Sequence, residues 1–205
     1  MNEPRRRRRR STADGRRDAR ATLLEATERL LAERALGELA VADILKEAEV
    51  SRATFYFYFE SKHAILAALL ERIVEDFHEA TLLYFERGET PPEQALRDAH
   101  RGLLALWREH AVVMRASLEN WQAVPDLRDA WGGIIARFTA AAAAQIERDR
   151  EASVAQPGPD AARLAGALIA MNERCAYYAV ANGDPDDDAA LVDTLTYVWM
   201  TAIYS

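Results

Sequence analysis

Residues 41–62 read VADILKEAEVSRATFYFYFESK, and the spacing within them decides the fold. Val41, Ile44, Leu45 and Ala48 fall at i, i+3, i+4 and i+7, the apolar stripe of a short amphipathic helix. Glu49, Val50 and Ser51 interrupt it, and Ser51 is a good N-cap for a second short helix beginning at Arg52. Two short helices joined by about three residues make a helix-turn-helix. In that arrangement the first helix and its neighbours hold the second at a fixed angle, so that its outer face enters the major groove of DNA. Val41, Leu45, Val50 and Phe55 are expected to form the small core. The outer face then carries Arg52, Ala53, Thr54, Tyr56 and Tyr58. Arginine bonds guanine bidentately, threonine bonds a base or phosphate, and an alanine or threonine methyl meets a thymine methyl. Tyrosine hydroxyls donate to phosphates. Lys62, in the first turn of a third helix capped by Ser61, adds a cation beside the DNA backbone.

Working outward, Leu23, Leu24, Thr27, Leu30, Leu31 and Arg34 recur at helical spacing, in a helix that begins at Asp18 and ends before Gly37. The first 17 residues hold Arg5–Arg10, Arg16 and Arg17 without apolar periodicity, and read as a disordered basic arm. Downstream of Ser61, the stripe Ile65, Leu66, Leu69, Leu70, Ile73, Val74 and Phe77 predicts one long helix. Further helices are predicted over 96–108, 129–151, from the Asp160 cap to about Ala181, and from Asp187 or Asp188 nearly to the end. Proline and glycine mark the breaks, as in Gln156-Pro157-Gly158-Pro159 and Asn182-Gly183-Asp184-Pro185. No sheet is expected. The fold class is all-α, with the arm at 1–17, a helix-turn-helix domain at 18–72 and a larger helical domain at 73–205.

Charge agrees with that division. The 205-residue chain has a net charge of −7. Residues 1–72 carry 15 basic against 12 acidic side chains, and residues 73–205 carry 11 against 21. Only the first third can approach phosphate without repulsion.

Several function classes lose support. No run of about 18 apolar residues appears, so no membrane span is expected. The basic N-terminus leads into no apolar segment, which argues against secretion or twin-arginine export. The single Cys175 allows neither an intramolecular disulfide nor a cysteine-based zinc site, and a reducing cytoplasm is the expected location. His63, His78, His100 and His110 show no metal-binding spacing, and no cofactor is expected. No nucleophile-elbow sequence or glycine-rich phosphate loop is present, so an enzyme is not expected. The competing readings are a non-specific DNA-coating protein acting through its basic arm, and a helical enzyme for an apolar substrate.

The stretch from Leu39 to Leu69, and above all Thr54-Phe55-Tyr56-Phe57-Tyr58-Phe59-Glu60-Ser61-Lys62, resembles the DNA-binding domain of the TetR family of transcriptional regulators. The resemblance implies that Thr54, Tyr56 and Lys62 stand at positions that usually contact DNA, and Arg52, Ala53 and Tyr58 at positions that often do. With the Ser51 cap, these are the candidate DNA-binding residues. Two positions depart from the family pattern. Glu49 replaces the usual glycine of the turn, and Ala40 stands where serine or threonine often caps the first helix.

The C-terminal part is similar to one subgroup of that family, through Met171-Asn172-Glu173-Arg174 and through Leu191–Leu195 onward to Trp199 and Tyr204. That subgroup holds an elongated apolar pocket. The positions it implies here are Leu103, Trp107, Trp131, Ile135, Phe138, Asn172 and Trp199. Ile169 stands at a second pocket asparagine, and Phe138 replaces a tryptophan. The implied partners are double-stranded operator DNA, a small apolar ligand and a second copy of the chain, paired through the last two helices at about 160–180 and 188–203. The implied mechanism is repression, relieved when the ligand displaces the long helix running from Ser61 to about Arg87.

Overall fold

The computed structural model describes the backbone of residues 4–85, 87–121 and 124–205, and the side chains of those residues apart from 4–18 and 75–84. Among the described residues there are nine α-helices and no strand. They are α1 (Pro4–Glu33), α2 (Val41–Glu47), α3 (Arg52–Tyr58), α4 (Lys62–Phe85), α5 (Pro92–Glu109), α6 (Ala111–Asn120), α7 (Pro125–Glu151), α8 (Ala161–Asn182) and α9 (Asp188–Tyr204). Short 3-10 turns at Leu36–Glu38 and Pro185–Asp187 lead into α2 and α9.

Helices α1 to α4 form the reading head. Leu23, Leu24, Leu30 and Leu31 of α1 are buried with Ile44, Phe55, Phe59 and the α4 stripe Ile65, Leu66, Leu69 and Leu70. The expected head core needs one correction. Phe55 is fully buried, Val41, Leu45 and Val50 are half-buried and pack against the core from its edge, and Ile44, outside the expected set, is fully buried with Phe55. Arg72 donates to Glu28 at 2.8 Å, tying α4 to α1, and Arg29 donates to Glu47 at 2.8 Å, tying α1 to α2.

The backbone of α1 begins at Pro4, not at Asp18, so it takes in the segment expected to be a disordered arm. Proline suits the first helical position and arginine is a good helix former, which favours continuation through this stretch. The arginine side chains of residues 5–17 lie outside the described residues.

Below the head, α4 continues without interruption past residue 72, so the expected domain boundary falls inside a single helix. One buried cluster runs from Leu23 through Ile73 and Val74 to Trp107, Trp131 and Ala176. Helix α6 was not foreseen. It follows α5 after a single non-helical residue, His110 (φ −108°, ψ 26°), and buries Val113, Met114 and Leu118. Helix α7 starts at Pro125, four residues before the expected position, with proline at its first turn.

A buried polar network closes the far end of the molecule. Arg87, just beyond α4, donates to Asp149 Oδ1 at 2.6 Å, and the Tyr204 hydroxyl donates to Asp149 Oδ2 at 2.6 Å. Gln145 Nε2 donates to the same carboxylate at 3.0 Å. Arg148 donates to the carbonyl of Phe85, the last residue of α4, at 3.2 Å. Both members of the Arg87–Asp149 pair are shielded, with side-chain exposures of 10% and 5%.

Two predictions follow from this packing. Asp149→Ala leaves a buried guanidinium uncompensated and is expected to lower unfolding free energy by roughly 3–5 kcal/mol in urea denaturation. Glu49 adopts φ 54°, the left-handed region that favours glycine. Glu49→Gly is therefore expected to raise the thermal midpoint, with a gain of about 1 kcal/mol; an unchanged or lower midpoint would show that this turn carries no strain.

Candidate functional site

The reading helix is built locally as its sequence dictates. Ser51 Oγ accepts the Thr54 amide at 3.0 Å, and the two hydroxyls lie 2.8 Å apart. At the preceding helix, Ala40 offers no side-chain acceptor, but the Asp43 carboxylate accepts the Ala40 amide at 2.9 Å and so satisfies one end group. Phe55 anchors α3 from below, its ring in edge contact with Tyr56 at 5.3 Å.

Ser51, Arg52 and Ala53 are exposed, and Tyr56 is 48% exposed, with the Arg52 guanidinium 5.6 Å from its ring centre. Thr54 and Tyr58 are half-buried. Phe57, absent from the sequence-based candidates, is 66% exposed. Its spacing was the available signal: Ala53, Tyr56 and Phe57 fall at i, i+3 and i+4 and so share one outer face.

Lys62 sits apart from that face in its bonding. Its Nζ donates to the carbonyls of Leu36 (2.8 Å), Gly37 (3.2 Å) and Leu39 (2.7 Å). An ammonium has three N–H donors, so all three are directed at the turn between α1 and α2. In the chain without DNA, this ammonium clamps α4 to the turn between α1 and α2.

The seven residues expected at a pocket, Leu103, Trp107, Trp131, Ile135, Phe138, Asn172 and Trp199, all line one cavity of about 90 Å³. They come from α5, α7, α8 and α9, and α4 adds Val74 and Phe85. Trp107 and Trp131 meet edge to face at 6.0 Å. The polar groups are few. Trp199 Nε1 donates to Asn172 Oδ1 at 3.1 Å, so the buried amide is held by a tryptophan. His100 Nδ1 lies 3.0 Å from Thr196 Oγ1, and burial lowers the imidazole pKa to about 4, leaving it neutral at physiological pH. Glu173 also lines the cavity. Burial raises its pKa, with the nearby Arg174 charge opposing. His100 and Glu173 were not among the sequence-based candidates, because helical spacing alone does not show which face of α5 or α8 meets a cavity.

Among the described residues no group of three or more His, Cys, Asp or Glu could hold a metal ion, and no helix is long and apolar enough to cross a membrane.

Comparison with known proteins agrees with both halves of this geometry. Residues 23–69 match the family described as bacterial regulatory proteins, tetR family, and residues 96–205 match the family described as transcriptional regulator EthR, C-terminal domain. The chain is 33% identical over 201 residues to the HTH-type transcriptional regulator EthR of Mycolicibacterium smegmatis, covering 94% of this chain and 93% of that protein. It is 33% identical over 189 residues to EthR of Mycobacterium tuberculosis, covering 91% and 88%. Solved structures with the same fold include a TetR transcription regulator from Haloarcula marismortui, at TM-score 0.74, 21% identity and 92% and 99% coverage. The reduced form of Escherichia coli NemR aligns at TM-score 0.70 and 20% identity, covering 90% of this chain and 97% of that one. The head that presents α3 and the helical body that encloses the cavity thus belong to one known architecture, and the chain is a member of the TetR family of DNA-binding transcriptional regulators, with a C-terminal domain of the EthR type.

Proposed function

We propose that this regulator is a repressor that a small apolar ligand releases from its operator. The observation that carries the reading is the continuity of α4. Its first residue, Lys62, is bonded into the head, while Val74 and Phe85 line the cavity. A ligand that favours a different packing of Val74 and Phe85 therefore acts on the element that sets the position of α3. DNA affinity falls by the coupling factor, and ligand affinity for the DNA-bound protein falls by the same factor.

Arg52, Ala53, Thr54, Tyr56 and Tyr58 are the proposed contacts to base edges and phosphates, with Ser51 holding the helix start, and Phe57 adds an apolar surface suited to a thymine methyl. Lys62 is proposed as the residue that positions α3. One short helix contacts few bases, so two copies, paired through α8 and α9, would present two heads about 34–36 Å apart to a palindromic site. Tyr178 on α8 and Tyr197 on α9, both exposed in the single chain, suit that pairing. A cytoplasmic location and the absence of enzymatic activity complete the reading.

The decisive experiment is fluorescence anisotropy on DNA from upstream of the protein's own gene against scrambled DNA, using the full chain and a variant lacking residues 1–17. A preference of about 10³ or more that survives truncation places specificity in α3. Equal affinity for the two DNAs in the full chain, with a steep salt dependence lost on truncation, would favour non-specific coating through the basic segment.

Lys62 gives a second test. Lys62→Ala is expected to lower stability by roughly 1–3 kcal/mol, through loss of its charged hydrogen bonds. The slope of log affinity against log salt should stay as in the unaltered protein. A slope shallower by about 0.9 would instead put the ammonium on a phosphate.

A further inference from the structure

The cavity has one ionisable group that its walls leave unsatisfied. Glu173 follows Asn172 on α8, keeps only 15% of its side-chain exposure, and lines the cavity. Its Oε1 is buried and has no hydrogen-bond partner among the described residues. Arg174 Nη2 stands 3.9 Å from Oε1, beyond hydrogen-bonding range. That guanidinium is half-exposed and lies over the rings of Tyr177 and Tyr178, at 5.4 and 6.0 Å, so its charge is shared with solvent and two aromatic faces. The other polar groups of the cavity have partners of their own: Asn172 with Trp199, and His100 with Thr196. Neither donates to Glu173.

A buried carboxylate oxygen without a hydrogen-bond donor is rare in folded proteins. The direction of its pKa points the same way. Burial raises it, and the opposing charge of Arg174 does not outweigh that desolvation. A purely apolar ligand would seal the carboxylate further from water and make its position worse. A ligand that brings a cation would supply the missing partner while its carbon skeleton fills the rest of the space.

We infer that the cavity takes a small amphiphilic amine, whose ammonium pairs with Glu173 while its apolar body packs among Trp107, Trp131 and Phe138. The inference rests on the cavity being the ligand site, as proposed above, and narrows the ligand from an apolar molecule to a cationic one. A cavity of about 90 Å³ favours a small ligand.

Hexylamine and hexan-1-ol are matched probes, equal in size and different in charge. Binding to the full chain at neutral pH is read by isothermal calorimetry and by the fluorescence of the cavity tryptophans. Hexylamine is expected to bind at least about tenfold more tightly than hexan-1-ol. That preference should disappear in Glu173→Gln and persist in part in Glu173→Asp, which keeps the charge and guards against a variant that merely folds badly. Equal binding of the two probes to the unaltered protein, or a preference that survives in Glu173→Gln, overturns the assignment of Glu173 while leaving the cavity as a site for neutral ligands. If neither probe gives heat or a fluorescence change, the cavity is not a ligand site, and the amine inference falls with that reading.

Discussion

The union of head and body in this molecule depends on the burial of one stripe along α4. Ile65, Leu66, Leu69, Leu70, Ile73 and Val74 are each at most 3% exposed. Burying such a side chain contributes roughly 1.5–3 kcal/mol relative to leaving it in water. All six lie in one buried cluster that also takes in Leu23, Leu24, Ile44 and Phe55 of the head and Trp107, Trp131 and Ala176 of the body. The stripe is continuous, so head and body share a core. A TetR-type head of some fifty residues, with two helices of seven residues each, would bury too little surface to be secure alone. It is held because its third wall is the first half of a long helix whose second half is anchored elsewhere.

Much of this could be read from the chain. The period of Val41, Ile44, Leu45 and Ala48, the Ser51 cap and the α4 stripe are local signals, and local signals survive folding. The cavity positions came from resemblance, and helices α5, α7, α8 and α9 bring all seven to one volume. What stayed hidden has tertiary causes. Helix α6 follows α5 across His110 with no glycine or proline to announce it. Nothing in the spacing tells that the Lys62 ammonium turns toward three carbonyls rather than toward solvent, since those carbonyls lie 23 to 26 residues away. Val41, Ile44 and Leu45 share one face of α2, and how deeply each sinks into the core is set by the helices packed against that face, which spacing alone does not give.

The cavity shows how few polar groups set the character of an apolar site. Tryptophan pairs with asparagine, histidine with threonine, and in each case one partner fixes the orientation of the other. Such fixed polar points, more than the apolar walls, decide which molecules fit, because leaving a buried donor or acceptor unmatched costs more than misplacing a methylene. Glu173 stands outside these pairs, which sets it apart from the structural polar residues around it.

The bonds at the far end of α4 have a mechanical consequence. Arg148 holds the carbonyl of Phe85, and Asp149 holds Arg87 just beyond, so this end of the helix is fixed to α7 and to Tyr204. A helix of 24 residues is about 36 Å long at 1.5 Å per residue. If it pivots where it is tied, each degree of tilt carries the Lys62 end through about 0.6 Å. A rearrangement of a few degrees beside the cavity then becomes a displacement of two to three ångströms (about the length of a hydrogen bond) where α3 is mounted. The fixed end is thus the fulcrum of a lever, and the distance between fulcrum and head sets its gain.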